Sequence, residues 1–453
     1  MSQAQQKGLW GLSKPLLLEQ ALQFMVPLLD TIFLSIISDS AASAAGALTP
    51  VLFLCGNLIW VTVFAGASIA NQRIGAGNYA RANATIWIFA LWSILLAGLV
   101  AGLLCLFAED ITQLMGLRGQ IGLDAQTYLH IAFALVLVWC GKAICQSILN
   151  MYGLPGWNLL ANLVYFIANL AGNCIVVFQL FGLPEYGIAG VAWASVIASS
   201  LGVLVSLLAI AFNLNLRVSR ADLGSNFSSV SHNLARIAAP SAIEPLSFDI
   251  NMVVLNSLAA KLGPQALAAK IYTFNTFMLG LIISVALTTA TQILVTQKVG
   301  SGEMDKADQQ LRQSLRAALW GTGLVALLLT LLHHPIMSLY TDNEKLLAGA
   351  FWWFALAGLS EPGRTINIMT GFNLRATGDG WYISWVGPLF TWAVALPLAY
   401  LMAFVLDWGV AGLLLSAVID ESGRAFIFHR RWQQKHWHHS HVHARESRQN
   451  NLV

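Results

Sequence analysis

Charge is what this chain has least of. Of its 453 residues only 10% are charged, against 57% hydrophobic, and the mean hydropathy is +0.67. Soluble domains carry roughly 25% charged residues, so a water-soluble fold is excluded and the chain reads as an integral membrane protein. Cysteine is scarce too. Cys55, Cys105, Cys140, Cys145 and Cys174 all fall in apolar segments and no loop carries a pair. A disulfide framework is therefore not expected, and the spacings fit neither zinc nor a redox motif. Histidine is nearly missing from the apolar stretches, where His130, His333 and His334 lie near segment ends. An intramembrane enzyme would need a nucleophile–base pair or a metal cluster there, so no enzyme and no cofactor is expected. There is no Walker loop, G-x-x-x-x-G-K-[ST], which sets ATP aside as the energy source. The polar start "MSQAQQKGLWGLSKP" leads straight into an apolar run, so no cleavable signal peptide is expected.

What the chain does have is long apolar runs, each near the ~20 residues that cross a bilayer as a helix. About twelve can be marked off, six in each half, from Pro15–Ile37 to Val410–His429. The small net charge of +3 is unevenly placed. Lys7, Lys14, Arg73, Arg81, Arg217, Arg220, Lys298, Lys306 and the tail from Arg430 fall on one side of this topology. Cationic loops stay cytoplasmic, so both termini are expected inside, in a multi-pass protein of the cell's inner (plasma) membrane.

The sequence also repeats itself. "QRIGAGNYARA", Gln72 to Ala82, matches "QKVGSGEMDKA", Gln297 to Ala307, at an offset of 225 residues, and the same offset pairs Pro15–Glu19 with Pro240–Glu244. "YGIAGVAWASVI", from Tyr186, matches "WGVAGLLLSAVI", from Trp408, a few residues out of step, and Asn150–Trp157 pairs with Asn373–Trp381 if one insertion is allowed. An even number of helices per half gives both halves the same orientation. The expected fold is all-α, with twelve transmembrane helices in two parallel six-helix repeats around a central cavity. The expected domains are an N-terminal lobe over 1–215, a flexible cytoplasmic linker over 216–235, a C-terminal lobe over 236–429 and a basic, His-rich tail over 430–453.

Ionisable groups at membrane depth are costly and usually line a substrate or ion path. Asp30, in "MVPLLDTIFLS", is the lone acid deep in the first span. In the fifth span Asn162, Asn169 and Asn173 are spaced seven and four residues apart, on one helical face. Such a stripe serves either as glue between helices or as hydrogen-bonding partners for Asp30. In the second half Glu244 and Glu361 each precede a proline, which frees backbone carbonyls. With Asp249 they are candidates for a C-lobe cation site, although five residues separate Glu244 from Asp249, about 140° around a helix. Glu361 is equally placed to pair with Arg364, one turn on. Glu19, near the cytoplasmic end, is expected to be solvated, and Asp420 and Glu421 to form an ion-pair cluster with Arg424. The stretch from His429 onward holds six of the ten histidines at irregular spacing, and the tail is expected to be disordered rather than to bind metal.

The aspartate in the first helix, "GASIANQRIGAGNYARA" closing the second, its echo "VGSGEMDKA" and "YGIAGVAWASVI" together resemble the multidrug and toxic compound extrusion (MATE) family over nearly the whole chain. Asp30, fifteen residues after Pro15, matches the family's N-lobe carboxylate. Asn169 and Asn173 match its polar pair on the fifth helix, in the form of the NorM-like branch. At the position of that branch's seventh-helix glutamate this chain has Phe248, so the family's C-lobe sodium site is not carried over. The resemblance implies a cation-coupled antiporter exporting amphipathic, often cationic drugs by alternating access. Its partners would be those small substrates and the lipid bilayer, with no nucleic acid, and the chain would act as a monomer.

The physics of Asp30 fits a proton: an apolar cavity disfavours a carboxylate's charged form, so proton and cationic substrate compete for one negative charge. A sodium-coupled antiporter is one alternative. A flippase for lipid-linked precursors is another, but its phosphates call for arginines, and Arg364 is the mid-span candidate.

Overall fold

The computed structural model describes residues 3–182 and 184–439, and among them there are helices and no strands. Lipid offers backbone amides no partners, so a spanning chain must satisfy them within helices or closed barrels. Twelve long helices result: α1 Gln3–Ile37, α2 Asp39–Gly75, α3 Tyr79–Leu106, α4 Gly119–Met151, α5 Pro155–Val177 and α6 Gly187–Asn213, then α7 Arg220–Lys261, α8 Pro264–Gly300, α9 Met304–Leu331, α10 Glu344–Ala376, α11 Gly380–Val405 and α12 Gly409–Gln433. Among the described residues nine are long and apolar enough to cross a bilayer. The three that fall short, α7, α10 and α12, carry Glu244, Glu361, Arg364, Asp420, Glu421 and Arg424.

The duplication written in the sequence is exact in the backbone. Shifted by 225 residues, both ends of α2, α3 and α4 land on the ends of α8, α9 and α10. The turn between the first two of these shows why. Gly77 and its counterpart Gly302 both take positive φ, 76° and 79°, which glycine alone adopts freely. Their amides close on Ile74 O at 3.0 Å and on Val299 O at 3.1 Å. The register also holds through the end of the fourth helices, where Gly153 and Gly378 have φ of 76° and 100°. Asn150 therefore corresponds to Arg375 rather than to Asn373, and no insertion is needed there.

The chain divides into two compact units, Met1–Ala235 and Arg236–Val453. In the first, α5 packs on α6 and α1, while α2 packs on α3 and α4. Small residues allow the close approach that packing in lipid relies on: Ala65, Ala70, Ala82 and Ala84 are fully buried. In the second unit α10 packs on α12 and α8, around a core that includes Phe277, Met337 and Phe354.

Two expectations need correction. The linker is largely helix, since α7 already starts at Arg220. It is also pinned to α3: Asn83 Nδ2 donates to Asn215 O and Arg217 O, Trp87 Nε1 to Leu216 O, and Trp92 Nε1 to Ser231 Oγ, at 2.9 to 3.2 Å. Nor is the start of the tail disordered. Helix α12 continues to Gln433, and Trp437 stacks on Trp432 at 4.3 Å, both 1% exposed. Trp432 Nε1 donates to Asp308 Oδ1 at 2.8 Å, and Arg431 grips Asp379 through two nitrogens at 2.7 and 3.1 Å. Residues 440–453, with the last two histidines, lie outside the described residues.

Candidate functional site

Asp30 is partly exposed on α1, and two side chains from two other helices close on its carboxylate. Asn173 Nδ2 of α5 donates to Oδ1 at 2.6 Å, and Ser195 Oγ of α6 donates to Oδ2 at 3.0 Å. Asn169, one turn before Asn173, donates to Ser195 Oγ at 3.0 Å and accepts from Asn173 Nδ2 at 3.2 Å. The four side chains form a closed ring in which Asn169 and Asn173 are fully buried. The ring exists because α1 and α6 both pack on α5 and because four-residue spacing puts the two amides on one face. Asn162, about two turns further back, is not part of it: its amide donates to Asn158 O within α5 at 2.9 Å.

The groups bonded to this carboxylate, Asn173 and Ser195, are both neutral. Asn173 also keeps Oδ1 buried and without a hydrogen-bond partner among the described residues. A primary amide offers both donors and an acceptor, so a half-turn of Asn173 would present that acceptor to a protonated Asp30. The ring can thus hold the acid in either protonation state. Ser195 is the member that sequence reasoning missed. It sits inside the repeated segment "YGIAGVAWASVI", where a serine among small residues reads as packing.

The second unit is built differently. Glu361 is 0% exposed, and Arg364 Nη1 donates to its Oε1 at 2.7 Å. Its carboxylate lies against the backbone of α8, where a Cβ added to Gly280 would come within 2.7 Å of Oε2. Arg424 of α12 bonds Asp420 at 2.7 Å and reaches Glu421 and Glu244, each at 3.4 Å. Arg375 forms a further ion pair with Glu244, and Arg364 reaches Glu421 at 3.7 Å. Asn367 and Thr391 add hydrogen bonds to Glu421 and Asp420, both at 2.8 Å. Glu244 and Glu361 are therefore joined through guanidinium groups, and Asp249 is partly exposed elsewhere on the unbroken α7.

Glu19 overturns its expectation. It is 1% exposed rather than solvated. Its place near the start of the apolar run suggested shallow depth, but the helix resumes directly after a kink at Gly8 (φ 63°), which sets Glu19 about three helical turns in.

Comparison with known proteins follows this geometry. The MatE family model matches the chain twice, over residues 15–175 and 240–401, so the two matches begin 225 residues apart. The chain is 28% identical to the uncharacterized transporter YisQ of Bacillus subtilis over 430 residues, covering 95% of this chain and 94% of that protein. It is 23% identical to the probable multidrug resistance protein NorM of Thermotoga maritima, covering 95% and 93%. A crystal structure of a mutant of the Vibrio cholerae MATE transporter VcmN superposes with a TM-score of 0.87 at 18% identity, covering 96% of this chain and 98% of that one.

Proposed function

The chain belongs to the MatE family, and on that premise we propose that it is a proton-coupled antiporter that exports amphipathic, often cationic compounds by alternating access. It would work as a monomer in the inner membrane with both termini in the cytoplasm. Relatives named as multidrug resistance proteins support the export of drugs. The basic turns at Arg73–Arg81 and Lys298–Lys306, equivalent in the repeat, support the orientation.

The observation that carries the coupling ion is the ring around Asp30. A proton needs one basic oxygen and a partner able to serve both the ionised and the neutral form. Asn173 has both functions within reach. Sodium favours several oxygens with net negative charge, and Asp30 is the one acid in this ring. The acids of the second unit already hold guanidinium groups, which stand where a bound cation would. In exchange, the Asp30 carboxylate would attract a cationic substrate, and protonation would release it. Exchange of one proton for one monovalent cation moves no net charge, so the pH gradient supplies the drive, about 1.4 kcal/mol for each tenfold difference in proton concentration.

The flippase reading is disfavoured by the same pairing, because a phosphate-bearing cargo needs uncommitted arginines, and Arg364, Arg375 and Arg424 all face carboxylates. The test is drug resistance in cells expressing Asp30→Asn at wild-type levels. Resistance should be lost, and undiminished resistance would sink the proposal.

A further inference from the structure

One buried acid has no role in this mechanism. Glu19 lies on the same stripe of α1 as Asp30. Glu19, Gln23, Val26 and Asp30 follow at spacings of four, three and four residues, which a helix of 3.6 residues per turn stacks on one face. The stripe is about 16 Å long at 1.5 Å per residue. Glu19 Oε1 accepts a hydrogen bond from Gln23 Nε2 at 3.3 Å, while the buried Oε2 has no hydrogen-bond partner among the described residues. The opposite charge acting on it is Lys142 of α4. That ammonium rests on the face of Tyr165 of α5, 4.4 Å from the ring centroid. Tyr165 in turn packs against Val26 in the middle of the stripe. Of the other helices on α1, α6 has no ionisable side chain. On α2 the ionisable side chains described are Cys55 and Arg73, and Arg73 is turned to Thr85 and to Arg81 O of α3.

The repeat supplies an independent argument. Glu244 stands 225 residues after Glu19, in the register that aligns the helices. It meets Arg375 of α10, and α10 is the copy of α4. Each unit therefore sets the equivalent carboxylate of its first long span against a cation on its fourth, the cations themselves standing at different positions, since Lys142 corresponds to Asn367 and Arg375 to Asn150. In the second unit the cation is a guanidinium, which does not give up its proton in proteins, and direct ion pairs lock the acid. In the first unit the cation is an ammonium held on an aromatic face, so the acid keeps an oxygen free to take a proton.

We propose that Glu19 is a second proton-binding site of the first unit, through which the proton delivered to Asp30 leaves toward the cytoplasmic end of α1. The inference rests on the proton-coupled reading above. The Asp30 carboxyl loses the proton and the Glu19 carboxylate gains it, so the transfer leaves the charge of the unit unchanged. Gln23, the Tyr165 hydroxyl and water span the interval. Lys142 favours the ionised acid and so promotes release. The duplicated acid is held in a fixed clamp in one unit and serves as an exchange site in the other.

Dicyclohexylcarbodiimide, which modifies protonated carboxyls at membrane depth, tests this on the full-length protein in lipid. Peptide mass spectrometry should find Glu19 labelled, with labelling falling as pH rises, and Lys142→Arg should abolish it by locking the acid. A Glu19 unlabelled at every pH would overturn the proposal. In proteoliposomes driven by a pH gradient, Glu19→Gln should slow export of a lipophilic cation at least roughly tenfold while leaving its binding intact, and Glu19→Asp should restore part of the rate. Export by Glu19→Gln at the wild-type rate would also overturn it. Should Glu19→Gln fail to fold, the labelling of the wild-type protein decides. A wild-type protein indifferent to the pH gradient would instead sink the coupling reading, a result distinct from either of these.

Discussion

Asn173 of α5 donates its amide to Asp30 of α1 across 2.6 Å, and this bond ties the single acid of the ring to the asparagine stripe of α5. A donor to a carboxylate favours its ionised form. Asn173→Leu removes that donor, so Asp30 should hold its proton to higher pH and the midpoint of pH-dependent export should move up. A hydrogen bond to a charged group is worth about 1.5–3 kcal/mol and one to a neutral group about 0.5–1.5 kcal/mol, and the difference corresponds to about one pH unit. The measurement is export rate against pH in reconstituted vesicles. An unchanged profile with only expression altered would mean that the amide serves as helix glue.

Ser195 closes the other side of the carboxylate and links it to Asn169. Ser195→Ala should shift the same midpoint in the same direction, and Ser195→Thr, which keeps the hydroxyl, should stay close to wild type. A Ser195→Ala profile that overlays the wild type would remove the serine from the ring's function.

The central acid and its amides were legible because helical spacing alone places Asn169 and Asn173 on one face and because an acid at depth stands out against lipid-soluble neighbours. Ser195 was not legible, since nothing local separates a coupling serine from the packing serines of a small-residue helix. The repeat was legible in the glycine turns, where backbone conformation fixes residue type at Gly77 and Gly302. The arginine network was only half legible. Pairs one turn apart, such as Glu361 with Arg364 and Asp420 with Arg424, follow from sequence. The pairing of Glu244 with Arg375 and Arg424 spans more than 100 residues and depends on helices α10 and α12 packing together. The burial of Glu19 was not legible for a related reason: it depends on which helices pack over α1, which local sequence does not show.

The second unit's network leads to a stability prediction. Arg424 serves three carboxylates, and removing one partner of a buried pair costs about 3–5 kcal/mol by leaving charge uncompensated. Arg424→Met should lower the melting temperature of the detergent-solubilised protein by several degrees. Lys306→Met, which breaks only the exposed pair with Glu303, should leave it almost unchanged, as surface pairs contribute about 0–1 kcal/mol. Equal melting temperatures for wild type and Arg424→Met would show that the network adds nothing to the fold.

Proton coupling through Asp30 is the claim on which the rest depends, and transport in proteoliposomes under separately imposed gradients tests it most directly. The account predicts that a pH gradient alone drives a lipophilic cation through the wild-type protein, that Asp30→Asn reconstituted to the same density does not respond, and that a sodium gradient alone moves nothing in either. Sodium-driven transport without a pH gradient, retained in Asp30→Asn and lost in Glu244→Gln, would contradict it.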